Sequence, residues 1–187
     1  PYHADLGISD EKIVEIGNIE AEGKKIIDAK GKIVTPGFVD IHTHYDGQVT
    51  WDPYLRPSTY HGVTTVVMGN CGVGFSPCKP NQRDWLIGLM EGVEDIPGTA
   101  LHEFIDWEWE IFPEYLDALE KKPLAIDVGT QIPHGAVRAY VMGERVIIHE
   151  VSSLEEIEEM KARAKTKVWT KEVGAHFEKE LMKMQRM

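Results

Sequence analysis

Two histidines one residue apart, His42 and His44, close the apolar run Phe38-Val39-Asp40-Ile41 in a chain of 187 residues. In an extended strand alternate side chains share a face, so both imidazoles point the same way. Two rings so placed can converge on one cation, each nitrogen about 2.0–2.1 Å from it. A lone histidine at a strand end is commonly just a hydrogen-bonded surface or core residue, but a pair at period two is harder to account for in that way. Cys71 is the third candidate. It follows a second apolar run, "GVTTVVMG", within Gly69-Asn70-Cys71-Gly72. A cysteine often serves only as a small buried hydrophobe. Here the flanking glycines let the backbone turn sharply and the sulfur face a ligand, and a thiolate is a strong zinc ligand. Cys78 lacks that setting and reads as structural.

His134, between Pro133 and Gly135, follows a third strand-like run. It is a candidate to face a substrate or to support the metal ligands, and an ordinary hydrogen-bonded loop histidine fits it equally well. The glycine run Gly69, Gly72, Gly74 matches neither G-x-G-x-x-G nor a Walker A loop, so a nucleotide site finds little support. His3, His61, His102, His149 and His176 carry no supporting pattern.

The elements that must position these residues alternate. The first 36 residues read as short strands and turns, "ADLGI", "EKIVEIG" and "KKIIDAKGKIV", pieces of a small β unit. "FVDIHTH" is then a strand with Val39, Ile41 and Thr43 on one side and Asp40, His42 and His44 on the other. "GVTTVVMG" and "AIDVGTQ" read as strands buried on both faces, as in a parallel sheet. Between them, "RDWLIGLMEG" has helical periodicity, "DIPGT" breaks it, and "IDWEWEI" is a half-buried extended piece or a loop packing its tryptophans. "PEYLDALEKKP" is a helix with proline in its first turn. "PHGAVRAYVMG" reads as a loop and short helix. Ser153 to Glu156 fits a capping box that opens a helix to about Ala164, and "EKELMKMQRM" is helical too. The acidic run "SSLEEIEEM" is a solvated helix face. Strand–helix alternation after a strand-only start predicts an α/β architecture with a parallel sheet. Such sheets bind ligands at the carboxyl ends of their strands, where the histidine pair and Cys71 would meet.

Hydrophobic residues make up 42% and charged residues 27%, so a packed core is possible. The formal net charge of -11 has the wrong sign for gripping nucleic acid or an anionic membrane surface. No apolar run is long enough for a membrane span and no basic-then-apolar leader is visible. Two cysteines do not build a disulfide framework, and a cytoplasmic setting is the expectation.

"DAKGKIVTPGFVDIHTHYDG" resembles the signature of the amidohydrolase superfamily, in which a small β-sandwich passes into the first strand of a metal-bearing (β/α)8 barrel. "GVTTVVMGNCGVGFSPC" is more specific and resembles the D-aminoacylase branch, the N-acyl-D-amino-acid deacylases. The resemblance runs from about Ala4 to Met160 and also takes in "RDWLIGLMEGVEDIPGTAL", "PEYLDAL" and "IPHGAVRAYVMG". It implies that residues 1–36 are part of the small β-sandwich and that residues 37–187 are the amino-terminal portion of a partial TIM-type barrel. It implies His42, His44 and Cys71 as zinc ligands, an N-acyl amino acid as substrate, and hydrolysis of a linear amide by a zinc-activated water. Cyclic-amide hydrolases of the hydantoinase and dihydroorotase kind are rivals, and the cysteine after the second strand argues against them.

The family's two further histidine ligands and its general-base aspartate have no matching motif in this chain. A barrel of this kind takes about 250 residues, and only three of its strands can be placed. After about Lys165 the resemblance to the expected continuation stops. These departures lead to the expectation of an incomplete piece that needs the remaining barrel segments or other copies of itself, or of a non-catalytic subunit acting through association.

Overall fold

Two stretches of the chain close on themselves, Pro1–Pro36 and Gly37–Met187, and each is described separately. The computed structural model describes residues 2–94 and 96–164. The helix expected at "EKELMKMQRM" lies outside them.

In the first stretch, β1 (Asp5–Ser9) and β2 (Lys12–Gly17) form an antiparallel hairpin. Its two-residue turn places Asp10 and Glu11 at φ of 48° and 62°, the left-handed pair that matches the natural twist of a hairpin. The strand expected at "KKIIDAKGKIV" is not formed. Residues 24–34 are irregular, with a turn closed by the Lys32 N–H on the Ala29 carbonyl, and Ile26, Ile27, Ile33 and Val34 are exposed. β-branched residues favour a strand only where a neighbour offers a ladder and a surface to pack on. Among the described residues this run has neither.

In the second stretch, β3 (Phe38–Thr43), β4 (Val63–Met68) and β5 (Asp127–Thr130) form a parallel sheet in the order β3-β4-β5. The helices are α1 (Arg83–Glu94), α2 (Gly98–Phe104), α3 (Phe112–Glu120), α4 (His134–Met142) and α5 (Leu154–Ala164). The strand–helix alternation is therefore as the sequence predicts, with α2 as an unforeseen addition that begins within the "DIPGT" break itself. Three of the carriers of the core are Val66 and Met68 on β4 and Tyr115 on α3, packed with Leu86, Ile87 and Met90 of α1.

Two helix starts follow from side-chain capping. The Glu114 carboxylate accepts from the backbone N–H groups of Glu110 and Ile111, which holds its pKa below the usual carboxylate range. At α5, Ser153 Oγ accepts from the Glu156 N–H while the Glu156 carboxylate accepts from the Ser153 N–H, the capping box read from the sequence. "IDWEWEI" is a loop that packs its tryptophans. Trp109 lies 5.3 Å from Trp107 and 4.8 Å from Tyr115, ring centre to ring centre, and donates its indole N–H to the Phe75 carbonyl.

Burial along the strands is uneven, which corrects the expectation of strands covered on both faces. Val66, Val67 and Met68 are buried, whereas Thr64 is exposed and β5 is at best half-buried. β3 and β5 are the outer strands of the described sheet, so only β4 has a strand on each side.

Candidate metal centre

β3 ends in the pair foreseen from the sequence. His42 is the fifth residue of that strand and His44 follows its last. Their rings lie 5.6 Å apart, centre to centre, and only 21° from parallel, as side chains projecting from one face of a strand should. Cys71 enters from the loop after β4, with its sulfur 3.9 Å from His44 Nδ1. One ligand atom from each of the three residues lies within 4.8 Å of the others. Among the described residues, no other trio of His, Cys, Asp or Glu side chains gathers in this way.

The donor set fits zinc. Zn–N of about 2.0–2.1 Å and Zn–S of about 2.3 Å allow nitrogen and sulfur on a shared ion to be at most about 4.4 Å apart, and about 3.5 Å in a tetrahedron. The observed 3.9 Å lies between those bounds, so small side-chain rotations suffice to close the site. Three protein ligands of this kind leave a coordination position open, as a catalytic rather than a structural zinc requires.

The ends of β3 and β4 are stitched together around the trio. Thr43 donates its hydroxyl to the Val67 carbonyl, and Asn70 donates its side-chain amide to the Ile41 carbonyl. The Asp46 carboxylate accepts from the Gly69 N–H as well as from its own. Asp46 is almost wholly buried, and burial outweighs those two bonds and pushes its carboxyl up to about 7. The Tyr115 hydroxyl of α3 donates to the Asp46 carbonyl at 2.8 Å. Gly69 has φ +76°, and a side chain there would meet the Gln131 carbonyl at 2.1 Å, so this corner of the loop admits only glycine.

His134 is the first residue of α4 and is exposed, not a loop residue. Its Cβ borders the space beside Gly72, and the following Gly135 N–H donates to the Gly72 carbonyl at 2.6 Å. It therefore neighbours the cysteine loop without joining the trio. Cys78, seven residues past Cys71, is buried in the core, where desolvation pushes its thiol up to about 12. Asp46 and Asn70 did not stand out in the sequence. An acid two residues beyond the second histidine was the available signal for Asp46, and its burial is visible only in the fold.

With this geometry in view, the comparisons with known proteins are decisive about ancestry. Residues 25–181 match the Amidohydrolase family. The chain belongs to the amidohydrolase family. That match runs past Lys165, where the recognisable motifs end. The chain is 37% identical over 152 residues to an uncharacterized protein of Mycobacterium tuberculosis, covering 76% of this chain and 24% of that protein. It is 32% identical over 172 residues to the D-aminoacylase of Alcaligenes xylosoxydans xylosoxydans, covering 91% of this chain and 33% of the enzyme. The structure resembles that of a D-aminoacylase described as having a binuclear metal center, with TM-score 0.66 and 32% identity over 86% of this chain and 31% of that one. An N-acyl-D-glutamate deacylase from Bordetella bronchiseptica, complexed with zinc and a phosphonate inhibitor, gives TM-score 0.63 and 31% identity at the same coverage. The chain thus spans a quarter to a third of the length of these relatives, and its fold is that of the amino-terminal portion of D-aminoacylases.

Proposed function

We propose that the chain carries the metal-holding start of a zinc-dependent deacylase, a partial TIM-type barrel that hydrolyses the linear amide of an N-acyl-D-amino acid. The observation that carries this reading is the trio His42, His44 and Cys71, gathered at the carboxyl ends of two neighbouring parallel strands. The Alcaligenes relatives include a D-aminoacylase and an N-acyl-D-aspartate deacylase, which supports the substrate class. When bound, zinc supplies Lewis acidity toward water and toward an amide carbonyl. His42 and His44 would hold it as neutral ligands and Cys71 as a thiolate, whose charge lowers that of the site. His134, at the rim beside the cysteine loop, would contact the substrate. Hydrolysis adds water across the C–N bond and yields a carboxylate and a free D-amino acid. With Cys71 and Cys78 both free thiols, the cytoplasm, where thiols stay reduced, is the proposed setting.

A second reading, a piece that acts only in association with further polypeptide or another copy, draws on the exposed Phe38, Val39 and Ile41 of β3. Elemental analysis separates the two. Zinc near one equivalent in the purified chain, lost in the His42→Ala/His44→Ala/Cys71→Ala variant, supports the first reading. Release of free amino acid from N-acyl-D- but not N-acyl-L-amino acids then completes it. A chain without zinc that gains it only on assembly supports the second.

A further inference from the structure

The loop from Gly69 to Gly74 carries Cys71, and both of its ends meet the same carboxyl group. Asp46 is 2% exposed and lies just beyond His44. Its carboxylate accepts from the Gly69 N–H at the start of the loop. At the other end, Asp46 Oδ1 occupies the space beside Gly74, 2.7 Å from where a Cβ would stand. Within the loop the Gly72 N–H donates to the Gly69 carbonyl at 3.0 Å, so holding Gly69 holds the turn that contains Cys71. The Asp46 backbone is itself fixed, since its carbonyl accepts the Tyr115 hydroxyl. A buried side chain anchored from behind and touching both ends of a ligand-bearing loop is placed to set that loop's register. Asp46 stands outside the trio, so whatever it contributes passes through Cys71.

We propose that Asp46 is a positioning residue for the metal centre: it cinches the loop Gly69–Gly74 against the end of β3 and so holds the Cys71 sulfur beside His44. This rests on the zinc reading above and assigns a residue that reading leaves without a task. The part Asp46 plays is that of an acceptor of the right size, so asparagine, which keeps an acceptor oxygen and the same shape, should serve.

The test uses the full chain with Co²⁺ alone as the probe, because a cobalt–thiolate bond gives a near-ultraviolet charge-transfer band that histidine ligation does not. Wild type and Asp46→Asn should show that band. Asp46→Ala should bind Co²⁺ about tenfold or more weakly, the range for residues that orient metal ligands, and should lose the band while its circular dichroism stays native. Gly74→Ala, which intrudes on the same carboxyl from the other side, should weaken the band as well, and it carries the test if Asp46→Ala does not fold. An unchanged band in Asp46→Ala, or in Gly74→Ala where Asp46→Ala does not fold, overturns the proposal. So does a natively folded Asp46→Asn that fails as badly as Asp46→Ala, because charge rather than placement would then be at work. If wild type takes up no cobalt, the zinc reading fails, and amide hydrogen exchange still decides the clamp. Gly69 should exchange slowly in wild type and Asp46→Asn and quickly in Asp46→Ala, and equal rates would refute the clamp.

Discussion

The two ends of the parallel sheet differ sharply although the same three strands make both. At the carboxyl end Thr43, Asp46 and Val66 to Met68 are buried, and side-chain hydrogen bonds from Thr43 and Asn70 reinforce the ladder. At the amino end Phe38, Val39, Thr64 and Asp127 are exposed. The difference shows where this part of the fold concentrates its order. The end that brings His42, His44 and Cys71 together rests on a buried layer, although His42 and Cys71 themselves are exposed, and the opposite end only starts the strands. A site made of side chains from separate strands needs this, because a displacement of 1 Å between ligands is enough to impair it.

The sharpest contrast lies within the ordered end, between its two thiols. At pH 8 the exposed Cys71 should react readily with iodoacetamide in the native protein. Cys78, with its pKa pushed up to about 12, has only about one part in 10⁴ as thiolate at that pH and is buried as well. Peptide mass mapping should find it unmodified until the chain unfolds, and early modification would show that the end is looser than its packing implies. The same shift has a sign for stability. A thiol whose folded pKa exceeds its unfolded 9.0 favours folding fully below pH 9, and that contribution fades as pH rises toward about 12.

Met68→Ala removes a fully buried side chain from β4 and should cost about 2–5 kcal/mol in urea unfolding. Gly69→Ala should cost about 1–2 kcal/mol for its left-handed backbone alone, and it must displace the Gln131 carbonyl besides. Val39→Thr, at a position 53% exposed, should change stability by no more than about 0.5 kcal/mol. If Val39→Thr proved as costly as Met68→Ala, the amino end would be covered in solution, and the contrast between the ends would disappear.

Much of this was legible from residue patterns. Period two placed His42 and His44 on one face, the β-branched run at 63–68 announced the central strand, and Ser153 with Glu156 marked the start of α5. These signals are local, and the structure keeps them because neighbouring elements agree with them. The run at 24–34 also carries β-branched residues, Ile26, Ile27, Ile33 and Val34, yet forms no strand, because it is sparser in them than 63–68 and among the described residues has no partner to pair with. α2 was hidden because proline and glycine at 97–98 read as a break, whereas the structure uses them to begin a helix. Asp46 was invisible for a further reason. Its burial depends on Gly69, Gly74 and Tyr115, residues 23 to 69 positions away, and no short pattern encodes such a meeting.

Parallel pairing has an evolutionary consequence. Because β3, β4 and β5 run the same way, every strand leaves the sheet at the end that holds the trio and enters at the other. Insertions after the strands can therefore reshape what reaches the site without altering how the strands pair. Doubling the length of such a connection costs only about 0.6 kcal/mol in closure entropy. Under the proposed function, new substrates could thus be tried by lengthening exits, at little risk to folding, so long as the tight turn from Gly69 to Gly74 is left intact.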